Sequence, residues 1–123
     1  MEKYRILLSG PLVPFDQDLI GVLQQHAQIL TNSENRQIEP ILQKQKVNLI
    51  IFEITKKNNI DVALIKNINN KFSEIPIILI DGNGNTDIIV QAYPFGVKDV
   101  FKKPYKRYLV AERSNALLRQ QHQ

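Results

Sequence analysis

The chain is 123 residues long, 43% hydrophobic, and carries a formal net charge of +4, enough for one domain with a substantial core and too little for two. It has no cysteine and two histidines, His26 and His122, which excludes disulfides and a thiolate zinc site and argues against a histidine-rich metal centre. No apolar run approaches the roughly 20 residues that span a bilayer. The N-terminal "MEKYRILLSG" is charged and then strand-like, unlike a signal peptide. A soluble, cytoplasmic protein is expected. The mild positive charge permits acidic partners without demanding nucleic acid.

In chain order, "YRILL" reads as a strand ending at "SGP". "QDLIGVLQQH" has Leu19, Ile20, Val22 and Leu23 at helical spacing, with Asp16 as its N-cap. "AQILT" is a second strand, preceded by a turn at His26, a residue far from the cleft that reads as structural or exposed. "SENRQIEPILQKQK" reads as a helix from Ser33 weakened by Pro40, or as a shorter helix with Pro40 near its start, where the missing N–H does no harm. "VNLIIFE" is a third strand whose lack of alternation indicates burial on both faces. "DVALIKNINNKF" places Val62, Ile65, Ile68 and Phe72 on one helical face, with Asp61 as N-cap. "IPIILID" is a fourth strand. "NGNTDIIVQAY" becomes helical after a glycine-rich turn and stops before Pro94. "GVKDVFK" is a fifth strand, and "KRYLVAERSNALLRQQ" a last helix with Leu109, Ala116 and Leu117 as its inner stripe.

Five strand-helix units require crossovers, and therefore an α/β fold: a five-stranded parallel sheet, doubly wound, with helices on both faces. Residues 1–120 form the domain, and the polar tail 121–123 reads as frayed or cut from something longer. Chemistry in such sheets sits at the C-terminal strand ends. Glu53, "SGP", Asp81 and "KKP" all lie there. A carboxylate closing a buried apolar run, as Glu53 does, must be used or neutralised.

Three stretches together resemble a known family. "GVKDVFKKPY" is similar to a glycine, fifth strand, Lys-Pro pair and aromatic; "VNLIIFE" to a third strand ending in a phosphate-accepting aspartate; and "IPIILID" to a fourth strand ending in Thr or Ser. In this order and spacing they resemble the receiver domain of two-component response regulators, the CheY-like family with a flavodoxin-like fold, over nearly the whole chain. The resemblance implies that Glu53 stands at the phosphoacceptor position, that Lys103 and Pro104 are the Lys-Pro pair, and that Asp81 and Val100 occupy the two switch positions. The acidic pair after the first strand falls within Ser9, Gly10 and Pro11, where there is no carboxylate. Asp16, the nearest downstream, reads as a helix cap.

Receivers of this family take a phosphoryl group onto a carboxylate with the help of Mg²⁺, which binds oxygen ligands and neutralises developing charge. In this chain Glu53 is one methylene too long, Asp81 comes from the wrong side, and no metal site, cofactor or enzymatic residue is expected. Glu53 is expected to pair with Lys103, either imitating a phosphorylated state or merely neutralising two charges in a cleft. Asp81 has three readings: it caps the following helix, it pairs with Lys103, or it is solvated. At its position it would repel an incoming phosphoryl group.

The reading that results is an atypical, phosphorylation-independent receiver domain that acts as a protein-protein interaction module. A conventional phosphoacceptor receiver is the alternative. A small flavodoxin-like anion-binding protein, using "SGP", "DGNGN" and Lys103, is a second. "DGNGN" lacks the Lys-Ser or Lys-Thr of a phosphate loop. The resemblance points to the face of the fourth helix, fifth strand and fifth helix (88–93, 97–101, 106–119) for a protein partner, an attached output domain or a homodimer, with Tyr93, Phe95 or Tyr108 as anchor. Lys98, Lys102, Lys103, Lys106, Arg107 and Arg113 concentrate positive charge there. No following helix-turn-helix and no interleaved aromatics support direct nucleic-acid binding.

Overall fold

A strand covered on both faces has no reason to alternate apolar with polar residues. β1 (Arg5–Ser9), β3 (Leu49–Ile54) and β4 (Ile77–Asp81) show that signature, β3 being buried at all six positions and β4 at all five. The computed structural model describes residues 4–11, 16–54, 60–82 and 84–121. Its remaining elements are α1 (Gln17–Leu23), β2 (Gln28–Asn32), a 3-10 turn (Asn35–Gln37), α2 (Ile38–Lys44), α3 (Ile60–Lys71), α4 (Thr86–Ala92), β5 (Val97–Lys102) and α5 (Arg107–Gln120). All neighbouring strands are parallel and their order is β2-β1-β3-β4-β5. The order reverses at β1, between β2 and β3, so the crevice beyond the β1 and β3 ends is where such a sheet binds or reacts.

The pleat divides each strand between two cores. Ile6, Leu8, Ile51, Ile78 and Ile80 face α1 and α5, against Leu19, Leu23, Val110 and Leu117. Leu7, Ile50, Phe52, Ile77 and Leu79 face α2, α3 and α4, against Ile38, Leu42, Ile65, Ile68 and Ile88. Each such side chain contributes about 1.5–3 kcal/mol when fully buried, so these two layers hold the strand ends in place. Gly96 has φ +84°, and a β-carbon there would meet Asn69 Oδ1 at 2.7 Å, so the turn into β5 needs glycine.

The choice left open at Pro40 is decided, and two local expectations change. The segment from Ser33 opens with the 3-10 turn, and α2 starts only at Ile38, with Pro40 its third residue; the first N–H groups of a helix lack intrahelical partners, so proline is harmless there. Asp61 lies inside the first turn of α3 and is buried, instead of capping it. The inner stripe of α5 is Val110, Ala111, Ser114, Leu117 and Leu118, while Leu109 is 41% exposed and Ala116 is partly exposed. Ser114 disguises that stripe: its Oγ donates to the Val110 carbonyl at 2.7 Å, which satisfies the hydroxyl and lets a polar residue be buried. His26 is exposed in the turn after α1. Among the described residues no helix is long and apolar enough to cross a membrane. Residues 122–123 lie outside those described, so of the polar tail only Gln121 is seen.

Candidate functional site

The C-terminal ends of β1, β3 and β4 and the residue after β5 bring Ser9, Glu53, Asp81 and Lys103 to one end of the sheet. Glu53 is 4% exposed. Its Oε2 pairs with Lys103 Nζ, and its Oε1 is buried without a hydrogen-bond partner. The lysine is 41% exposed and runs beside Gly82, where a β-carbon would stand 3.2 Å from its Cδ. One end of the ion pair is therefore buried and the other reaches solvent. Pro104 follows Lys103 through a cis peptide bond.

Around Glu53 the chain builds a neutral network that sequence reasoning missed. Asn32 Nδ2 donates to Ser9 Oγ at 2.9 Å, and Ser9 Oγ donates to Asn35 Oδ1 at 2.8 Å. Asn35 Nδ2 in turn donates to the Glu53 backbone carbonyl at 2.9 Å. Ser9 and Asn35 are buried, so their polar groups need these partners. The one available signal is "TNSEN", one amide closing a strand and a second three residues on.

Gly10 has φ +118°, and its N–H donates to the Asn32 carbonyl at 2.8 Å. A β-carbon at Gly10 would lie 2.7 Å from the Glu53 β-carbon. No carboxylate fits there without displacing Glu53. Pro11 is exposed and follows directly.

Asp81 is buried and supports the start of α4. Its two carboxylate oxygens accept from the Asn85 backbone N–H at 3.2 and 3.1 Å, and Oδ1 also accepts from Asn85 Nδ2 at 3.1 Å. Asn85 is the residue preceding α4, so Asp81 acts one step before the cap position. The solvated reading of Asp81 is thereby overturned: a buried carboxylate tied by the following loop is not in water. The Asp81 carbonyl accepts from Lys103 N–H at 2.9 Å, which fixes the backbone from which the lysine departs. Val100 is half-buried against the α3–α4 core.

Asp16 is fully occupied elsewhere. It accepts Leu19 N–H as the N-cap of α1 at 2.9 Å, Arg107 Nε at 2.8 Å, and the Tyr105 hydroxyl. Burial pushes its carboxyl up, but the hydrogen bonds from Tyr105, Arg107 and Leu19 and the Arg107 charge outweigh this and hold it below the usual value. It joins α1 to the start of α5.

Magnesium would need hard oxygen ligands in octahedral arrangement. The described residues contain no group of three His, Asp or Glu side chains able to hold a metal ion. Glu53 is engaged by Lys103, Asp81 by Asn85, and the Ser9 hydroxyl by two asparagines. The donor set does not fit Mg²⁺.

No family model matches the sequence, and no curated protein matches it. Solved structures do match. A CheY-like response regulator receiver domain protein from Methanospirillum hungatei JF-1 superposes with TM-score 0.86 at 15% identity, covering 98% of each chain. The signal receiver domain of an HD domain-containing protein from Pseudomonas fluorescens Pf-5 gives 0.83 at 19% identity, again over 98% of each. An orphan response regulator of H. pylori gives 0.80 at 18% identity over 94% of this chain and 96% of that one. The (βα)5 architecture with sheet order β2-β1-β3-β4-β5 is the fold of the CheY-like response-regulator receiver domains.

Proposed function

We propose that the chain is an atypical receiver domain of two-component signalling that works by protein contact, without catalysis and without accepting a phosphoryl group. The observation that carries this reading is the Glu53–Lys103 ion pair beside a strand end with no room for an acid at Gly10. Phosphoryl transfer requires positioned cations to neutralise the charge that develops on the transferring oxygens. In this cleft the lysine is already neutralised by the carboxylate that would have to act as nucleophile. The pair also ties the end of β3 to the residue after β5, a link otherwise made by a phosphoryl group on the β3 carboxylate. The domain is thereby held in one state, and its output is a surface for another protein or for an attached domain in the cytoplasm. Two structural neighbours belong to longer proteins: one is described as the receiver of an HD domain-containing protein, and this chain spans 54% of the other, a Thermotoga maritima OmpR/PhoB homologue.

The test is incubation with acetyl phosphate and Mg²⁺ followed by intact mass measurement. No change is expected. A gain of one phosphoryl group that disappears in Glu53→Gln overturns the proposal and favours a conventional phosphoacceptor.

A further inference from the structure

α5 has two exposed flanks, one on each side of its buried stripe. Leu109 and Arg113 lie towards β5, where Arg113 Nε is 3.4 Å from Asp99 Oδ2. Tyr108, Glu112, Asn115 and Arg119 follow at helical spacing along the other side. There they border a groove of about 310 Å³ against the end of α1, with Val22 and Ala111 beneath them and Gln25 and His26 across from them. Tyr108 therefore belongs to the α1 side of α5 and not to the β5 side.

The charges of this flank have no partners within the molecule. Among the described residues Glu112 and Arg119 form no ion pair, although the other arginines of α5 do, Arg107 with Asp16 and Arg113 with Asp99. Glu112 and Arg119 stand seven residues apart, about 10 Å along the helix axis. Both are exposed, and Tyr108 is 60% exposed. Gly21, four residues before Gln25 and so on the same side of α1, has nothing within 4 Å of where a β-carbon would stand, so an approaching helix meets no side chain there. The flank is also rigid. Asp16 caps α1 through Leu19 N–H and accepts Arg107 Nε at 2.8 Å, while Leu23, Leu117 and Leu118 share one core beneath the two helices. A preformed surface loses little freedom on binding.

Opposite charges placed evenly about the middle of one helix are complementary to themselves. A two-fold axis perpendicular to α5, passing between Asn115 and Ala116, lays two copies of the helix antiparallel. Glu112 of each copy then faces Arg119 of the other, and Tyr108 of each reaches the groove end at Gln25 and His26 of the other. The β5 flank has no such symmetry. Lys98, Lys102 and Lys106 are exposed there, Asp99 is held by Arg113, and a two-fold axis through it would set lysine against lysine. We infer that two copies of this chain pair through the α1–α5 flank, antiparallel at α5, joined by two Glu112–Arg119 ion pairs and by Tyr108. A patch on two helices is at the small end of protein interfaces, so the dimer is weak and depends on concentration. The pairing goes beyond the reading of the cleft and does not rest on it.

The test is sedimentation of the whole chain over a range of concentrations reaching millimolar. A monomer–dimer equilibrium is expected, weakened by salt, with affinity falling at least about tenfold in Glu112→Arg and in Arg119→Glu. All these positions are on the surface, so the thermal midpoint and amide spectrum of each variant should match those of the parent chain. The charge-reversed pair Glu112→Arg/Arg119→Glu should recover the dimer. The two single variants, each monomeric alone, should associate when mixed, because each supplies the charge that the other lacks. Tyr108→Ala should weaken the dimer without changing any charge. A chain that stays monomeric throughout overturns the inference, and Glu112 and Arg119 are then solvated charges. Single variants that dimerise as the parent does, a mixture that fails to associate, or a dimer abolished by Leu109→Arg on the β5 flank and not by Glu112→Arg each overturn it as well. Phosphoryl uptake at Glu53 in the mass experiment would overturn the reading of the cleft and leave this result standing.

Discussion

Gly10 and Glu53 touch so closely that a β-carbon on the glycine would stand 2.7 Å from that of the glutamate and 3.2 Å from its carbonyl oxygen. The backbone at Gly10, φ +118°, is also one that side-chain-bearing residues rarely adopt. Gly10→Ala is expected to destabilise the protein by about 1–3 kcal/mol through overpacking and backbone strain, and Gly10→Asp by at least as much. Urea denaturation measures this. An unchanged midpoint for Gly10→Ala would show that the two strand ends can separate at little cost and that an acid could be accommodated.

The donor set at the strand ends predicts indifference to magnesium. A ligand that binds only the native state at 100 times its Kd adds about 2.7 kcal/mol. Millimolar MgCl₂ is therefore expected to leave the thermal midpoint where equal ionic strength of NaCl leaves it. A Mg²⁺-specific rise would contradict the neutralised site.

Glu53 and Lys103 form a buried-to-exposed ion pair. Glu53→Gln leaves the lysine without its counter-charge, and Lys103→Met leaves a buried carboxylate without one, so both are expected to destabilise, the second more. The double variant should lose less than the sum, with a coupling of roughly 0.5–3 kcal/mol, near the lower end because solvent screens the lysine's half. Additivity within error would mean that the two charges ignore each other.

Asn35 joins Ser9 to the carbonyl of Glu53. Asn35→Ala strands both partners in a buried place, at an expected cost of about 1–3 kcal/mol. Asn35→Asp should be no better, because a carboxylate cannot donate to the Glu53 carbonyl. If Asn35→Asp instead proved neutral in urea denaturation while conferring Mg²⁺ binding, the network would be a dormant metal site and not a neutral closure.

Acid and alkali should both act on Asp16. Its folded pKa is depressed, so its contribution is present above the unfolded value of about 3.9 and is lost as pH falls through the folded value. Asp16→Asn should lower stability at neutral pH and flatten the acid limb below about pH 4. Burial first, and then the hydrogen bond to Asp16, raise the Tyr105 phenol well above its ordinary value. Its contribution is therefore complete below about pH 10 and lost as pH rises through the folded value. Ultraviolet titration should show a late-ionising tyrosine that moves to lower pH in Asp16→Asn; coincident titration curves would refute the coupling.

The architecture was legible in the sequence because it depends on patterns that are local. The unbroken apolar runs at 49–52 and 77–80 mark strands covered on both faces, and helical spacing at Leu19 and Leu23 or Ile65 and Ile68 marks the helices between them. The succession of elements along the chain and even the cap at Asp16 follow from such patterns. Where a polar residue is satisfied by its own helix, as at Ser114, the pattern misleads: of the expected inner stripe of α5 Leu117 is buried, while Val110 and Leu118 take the places expected of Leu109 and Ala116.

The sequence by itself also determined what the strand-end cleft lacks: there is no acid at Ser9, Gly10 or Pro11, and absence of a side chain requires no coordinates. Only the tertiary structure decided what fills the gap. Asn32 and Asn35 reach Ser9 and Glu53 across three strand ends. Gly10 matters through a contact with a residue 43 positions away, and Tyr105 and Arg107 close on Asp16 from the far end of the chain. Hydrogen bonds and van der Waals contacts depend on distances of a few ångströms, set by the sheet order that places β2, β1 and β3 side by side. Separation along the chain carries no information about them, so the pattern identifies the cleft and only the fold shows how it is closed.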